Sequence, residues 1–126
     1  MNVPAELLYT KEHEWIRMEG QTAVIGITDH AQDKMGDIVF VELPSVGAHI
    51  EAAAPLANLE SVKAVSEVFM PQSGTVEAVN TTLEAAPESL NTDPYGSWIA
   101  RVSFDAPLSQ DIYLDAAAYA AFCAEE

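Results

Sequence analysis

Eight short runs limit what this chain can fold into. "EWIRM", "TAVIGI", "DIVFVEL", "AHIEA", "PLANLE", "AVSEVFM", "TVEAV" and "SWIARVSF" are rich in Val and Ile and are separated by Gly, Pro, Asn or Asp. Branched side chains pack well on a pleated surface and lose freedom in a helix, so each run predicts a strand. Their even spacing predicts a mostly β protein, a sandwich or barrel. With 126 residues, 49% of them hydrophobic, the chain can bury a core without metals or crosslinks, and one domain over 1–126 is expected.

Two stretches break the β pattern. In "ITDHAQDKMG", Thr28 or Asp29 can cap a short helix of one to two turns that Gly36 would close. In "DAAAYAAFCAEE", Asp115 can cap an alanine-rich helix over about 115–124, with Tyr119, Phe122 and Cys123 on one face. "LPSVGAHIEA" and "MPQSGTVEAV" also echo each other, each placing Pro and Gly ahead of a strand, and the shared positions predict two similar turns.

Twenty acidic residues against five basic ones give a formal net charge of -15, which opposes approach to phosphate backbones and anionic membranes. Neither nucleic acid nor a membrane is expected as a partner. Cys123 is the only cysteine, so no internal disulfide can form, and its apolar neighbours predict burial, not reactivity. "MNVPAELLYT" has the marks of neither a signal nor a transit peptide, so a cytoplasmic protein is expected.

Within that acidic chain, Lys63 is the one cation between Lys34 and Arg101. "PLANLE" leads into "SVKA" and out through "AVSEVFM", which predicts strand, tight loop, strand, and the loop lacks Gly or Asn, so a type I turn is expected. Lys63 would project from its tip. The plain alternative is a surface lysine held in weak ion pairs by Glu60 and Glu67. The functional alternative is covalent: an amine at an exposed tip is open to acylation, which would also remove its charge.

Other chemistry has little support. His13, His30 and His49 show no i, i+4 pair and no nearby cysteine, so sequence spacing predicts no metal site. In "KEHEW", a period of two puts Glu12 and Glu14 on one side of a presumed strand and His13 and Trp15 on the other, where a carboxylate could line a cleft and meet an amine. No nucleophile elbow, phosphate-binding glycine loop or dinucleotide fingerprint is present, and no catalytic residue is predicted.

"YTKEHEW", "GITDHAQDKMGDIVFVELPSVG", "ESVKAVSEV", "PQSGTVEAVN" and "NTDPYG" followed by a Trp occur in this order over nearly the whole chain. Together they resemble the H protein of the glycine cleavage system, in which "ESVKA" is the lipoylation motif. The biotin carriers are similar in fold, but their lysine usually stands between methionines, whereas Lys63 stands between Val62 and Ala64. "PYGSW" is one residue shorter than the family pattern, while the "ESVKA" segment is intact.

The resemblance implies a lipoyl/biotinyl-type barrel-sandwich hybrid with a short internal helix and a C-terminal helix. Its lipoylation hairpin would span about 55–70, with lipoate joined by an amide to Lys63. The protein would be a non-catalytic carrier, expected to be a monomer. It would take the aminomethyl group of glycine from a pyridoxal-phosphate glycine decarboxylase to a tetrahydrofolate-dependent aminomethyltransferase. A dihydrolipoyl dehydrogenase would then reoxidise the dithiol.

Among the acids, Glu60 would help the lipoylating enzyme recognise the hairpin. Glu12, Glu14 and Glu67 would shelter the arm, Glu14 foremost, so that Glu14→Ala should shorten the life of the loaded form without reducing lipoylation. An H-like paralogue that donates or relays lipoyl groups to other proteins, or an unlipoylated scaffold, remain as alternatives.

Overall fold

The structure is a computed structural model that describes the backbone of residues 1–126 and every side chain except that of Gln110. In chain order the elements are β1 (Leu8–Tyr9), β2 (Glu14–Glu19), β3 (Thr22–Ile27), α1 (Asp29–Met35), β4 (Ile38–Glu42), β5 (His49–Ile50), β6 (Pro55–Ser61) and β7 (Val65–Phe69). They continue with β8 (Gly74–Val79), α2 (Thr82–Ala85), α3 (Ser89–Thr92), β9 (Ala100–Phe104), a 3-10 turn at Gln110–Ile112, and α4 (Ala116–Ala124). One sheet has six strands in the order β1-β2-β3-β9-β8-β5, and the other has three, β4-β6-β7. Every pairing is antiparallel and neither sheet closes into a barrel. This is the expected mostly β, lipoyl-type sandwich with a C-terminal helix.

The inner faces supply the main core: Ile16, Ile25 and Val102 from the large sheet meet Leu56, Leu59 and Val68 from the small one. Each fully buried aliphatic side chain contributes about 1.5–3 kcal/mol. β2 and β3 do not alternate between buried and exposed, because α4 covers their outer face. There Tyr119 and Cys123 join Tyr9, Trp15 and Val24, with the Tyr9 and Tyr119 rings stacked 4.6 Å apart. Trp15 lies opposite Gly26 in the ladder, and a Cβ on Gly26 would come within 2.5 Å of its ring, so only glycine fits.

Helix ends follow the sequence. The Thr28 side chain accepts from the Ala31 N–H, which decides between the two possible caps, and Gly36 ends α1 with a φ of 77°. Asp115 caps α4 by accepting from the Ala118 N–H at 2.8 Å. Two expectations need correction. "KEHEW" is not one strand: Lys11 to His13 form a turn, His13 has a φ of 67°, and β2 starts at Glu14. The echoed glycines also do different work. Gly47 turns the chain with a φ of 92°, whereas Gly74 opens β8 and passes so close to the Ser103 carbonyl that a Cβ would lie 2.5 Å from it.

Candidate functional site

The β6–β7 hairpin carries Lys63 at its tip, and the tip is tied down on both sides. The Ser61 N–H donates to the Ala64 carbonyl at 2.8 Å, closing the turn. The Ser61 hydroxyl, on a buried residue, accepts from the Lys63 and Ala64 N–H groups at 3.3 and 3.0 Å. From outside the hairpin, the Asp37 carbonyl accepts from the Val62 N–H at 3.0 Å. Neither Val62 nor Lys63 has a positive φ, which excludes the primed turns and fits the expected unprimed one.

Lys63 itself is exposed, and among the described residues it makes no ion pair with Glu60, Glu67 or any other acid. Its aliphatic stem lies against Gly36, where a Cβ would sit 3.2 Å from the lysine Cε. The charge that looked pinned in sequence is therefore held by its stem and backbone, with the amine left open.

The base under that tip is set by Asn91 of α3. Its side-chain oxygen accepts from the Ile38 N–H at 2.9 Å, and its amide donates to the Gly36 carbonyl at 2.9 Å and to Gln32 at 3.0 Å. One side chain thus fixes the end of α1 to the start of β4, and with it the Gly36–Asp37 segment against which Lys63 and Val62 rest. Sequence reading assigned a function to neither Ser61 nor Asn91. A serine two residues before a tip lysine is a recognisable turn signal. Asn91 gave none, because its partners lie more than fifty residues away.

Glu12, Glu14 and Glu67 come together on one cleft of about 260 Å³ between the sheets, alongside Lys34, Ser66 and His30. A second cleft of about 520 Å³ also holds Glu12 and Glu14, walled by Phe69, Met70, Ile112 and Tyr113. The pair does not reach these clefts as the same face of a strand. Glu12 projects from the turn and is exposed, whereas Glu14, on β2, is 2% exposed. Glu60 lines neither cleft: it is exposed on the outer face of the small sheet, level with the exposed Phe40 and Val65.

Glu14 bridges the two sheets. One carboxyl oxygen accepts from the Phe69 N–H at the end of β7 at 2.6 Å, and the other from the Thr10 hydroxyl at 3.0 Å. Burial pushes its pKa from the ordinary 4.5 up to about 7, and these two donors offset only part of that rise. The carboxyl is thus poised near neutrality, where an arriving cation would favour its ionised form.

Two of the histidines that sequence spacing separates also meet. The rings of His13 and His30 lie 4.5 Å apart, and each donates an Nε2–H to the carboxylate of Glu126. His13 shares a second hydrogen bond with the Tyr119 hydroxyl at 2.7 Å, and burial holds its pKa below the usual imidazole range. His49 stands apart, paired with Asp105 at 2.6 Å.

Comparison with known proteins bears on the whole of this arrangement. The family model described as glycine cleavage H-protein matches residues 7–126. The glycine cleavage system H protein of Symbiobacterium thermophilum is 53% identical over 125 residues, which cover 98% of each chain. That of Acidobacterium capsulatum is 50% identical over 126 residues, covering 100% of this chain and 98% of the relative. The crystal structure of a glycine cleavage system H protein from Mycobacterium marinum matches with a TM-score of 0.85 at 36% identity, over 94% of this chain and 97% of that one. Likeness of this extent, in sequence and in fold alike, means that the chain belongs to the glycine cleavage H-protein family.

Proposed function

We propose that this protein is the lipoyl carrier of the glycine cleavage system, one non-catalytic domain over 1–126 that works as a cytoplasmic monomer. Bound as an amide to Lys63, lipoate would supply a redox-active disulfide that accepts the aminomethyl group from the glycine decarboxylase, yields it to the aminomethyltransferase and is restored by dihydrolipoyl dehydrogenase. The observation that carries this is the unpaired Lys63 amine at a hairpin tip whose backbone is pinned by Ser61 and Asp37. An acylating enzyme can reach the amine, and the hairpin backbone beneath it is held by the Ser61 and Asp37 hydrogen bonds.

The residues fit such a group. An extended lipoyl-lysine of about twelve bonds reaches about 15 Å. The strand rise from Lys63 to Glu67 is about 13 Å, so the smaller cleft, lined by Glu14 and Glu67, is within reach of the tip. Ile27, Met35, Leu59 and Val68 offer apolar wall there, and Glu14 offers a buried carboxylate to a primary ammonium. Glu12 and Glu67, both exposed, add negative charge at the rim. Glu60, on the far face, is assigned to recognition by the lipoylating enzyme, and the hairpin over about 55–70 is the unit it would read.

The test is the intact mass of the protein from its native host beside that of Lys63→Arg. A lipoyl-sized increment on the wild type and none on the variant is expected. An unmodified wild type would refute the carrier reading. Lys63→Arg should keep the wild-type circular dichroism and melting temperature, because the amine makes no bond among the described residues.

A further inference from the structure

His13, His30 and Cys123 come from three separate parts of the chain, the turn before β2, α1 and α4, yet one ligand atom of each lies within 4.8 Å of the others. The carboxylate of Glu126 closes the group: one of its oxygens is 3.1 Å from His13 Nε2 and 2.8 Å from His30 Nε2. We propose that these four side chains form a binding site for a divalent transition metal, with Zn²⁺ as the favoured ion, distinct from the lipoyl-bearing lysine and its hairpin.

The donor set is chemically suited to that ion. Two imidazoles, a thiolate and a carboxylate are the ligand types zinc takes in four-coordinate sites, and thiolate plus carboxylate balance the charge of a divalent cation. Bonds of about 2.0–2.3 Å place tetrahedral ligand atoms roughly 3.3–3.8 Å apart, so the widest separations among His13, His30 and Cys123 need to contract by about 1 Å, and the Glu126 carboxylate has to swing toward Cys123. Glu126 is exposed and follows the last turn of α4, where such an adjustment meets little packing.

Supporting contacts behind the ligands are already in place. His13 shares its Nδ1 hydrogen bond with the Tyr119 hydroxyl, which in turn bonds the Thr28 hydroxyl at 2.7 Å, so the ring is oriented with Nε2 toward Glu126. Such outer contacts fix ring orientation in metal sites. An approach exists as well: a cavity of about 440 Å³ reaches His30 and Cys123 past Asp29 and Asp33. Carboxylates at its mouth favour entry of cations. Because the ligands lie on separate elements, binding would staple the end of α4 to α1 and favour the folded state.

The experiment uses full-length protein carrying Lys63→Arg, so that no dithiol arm can contribute ligands. Co²⁺ serves as the spectroscopic probe, and Zn²⁺ is measured by competition with a chromogenic chelator. The expected result is one Co²⁺ per chain with intense tetrahedral visible bands and a thiolate-to-cobalt charge-transfer band. Cys123→Ser should abolish that band, His30→Gln should weaken Zn²⁺ binding about tenfold or more, and Zn²⁺ should raise the melting temperature of the parent but not of Cys123→Ser. Exposed Glu126→Gln, which carries little risk to folding, should also weaken binding. A pale six-coordinate spectrum, or affinities that none of these substitutions changes, would overturn the site.

Discussion

Glu14→Gln should leave stability almost unchanged near pH 4.5 and raise it by about 3 kcal/mol at pH 8. The figure follows from the position of one carboxyl. Glu14 is 2% exposed, and burial moves its pKa from 4.5 to about 7 despite the donors at Phe69 and Thr10. Between those values the folded protein holds a proton that the unfolded chain has released. Stability is therefore greatest below about 4.5 and falls as pH rises, and the loss is complete above about 7. A gap of this size, at about 1.4 kcal/mol per decade, amounts to about 3 kcal/mol. Glutamine is neutral like the protonated acid, and its oxygen keeps the bond from the Phe69 N–H. The variant therefore lacks the penalty at any pH. Urea unfolding of both proteins in chelator-containing buffer, at steps from pH 4.5 to 8.5, isolates the effect, because the other titrating groups cancel in the difference. A difference that does not grow with pH, or a variant less stable than wild type at pH 8, would refute the reasoning. Under the proposed function the same variant should lose protection of the aminomethyl cargo. A charge-assisted hydrogen bond of about 1.5–3 kcal/mol corresponds to a lifetime shorter by roughly tenfold to a hundredfold, with lipoylation unaffected.

Three further substitutions probe the scaffold. Ser61→Ala removes the acceptor for the Lys63 and Ala64 N–H groups and should cost about 1 kcal/mol in urea unfolding while slowing enzymatic lipoylation; an unchanged rate would count against tip geometry in recognition. Gly36→Ala forces a side chain into a φ of 77° and against the lysine stem, so a loss of about 1–2 kcal/mol is expected, and an unchanged melting temperature would reject the close fit. Gly26→Ala drives a Cβ to within 2.5 Å of the buried Trp15 ring, which also bonds the Pro94 carbonyl and cannot retreat; a loss of about 1–3 kcal/mol and a shifted tryptophan emission should follow.

The sequence was most legible where local chemistry decides structure. Val-rich runs became strands and Thr28 and Asp115 became caps, each for reasons contained in a few adjacent residues. It was least legible where distant segments decide. "TLEA" and "SLNT" form single helical turns without side-chain caps, too short for a helical period to register, and they are held by burying Leu83 and Leu90. The period-two reading of "KEHEW" failed because the backbone amides there bond Thr10: the His13 N–H donates to its carbonyl, and the Glu12 and Glu14 N–H groups to its hydroxyl. That local alternative to a strand ladder turns the chain just before β2. The turn still delivers Glu12 and Glu14 to shared clefts, by a different route from strand alternation. The meeting of His13, His30 and Cys123 had no signature in spacing at all, since it depends on α4 folding back over β2 and α1.

A protein that only needed stability would not keep Glu14. An isosteric amide would keep the bond from the Phe69 N–H without the cost of burying a charge, so the penalty of about 3 kcal/mol needs a compensating use. The carrier reading supplies one. A carboxyl with a pKa near 7 is easily shifted: a protonated amine placed beside it draws it back to the ionised form, and the attraction is strongest where water is excluded. By linkage, whatever free energy the amine contributes to that ionisation it also contributes to its own retention. Loading should therefore stabilise the fold most at the pH where the empty protein is weakest, above about 7. A loaded protein that gains no more stability at pH 8 than at pH 5.5 would separate Glu14 from cargo binding, whatever its part in the fold.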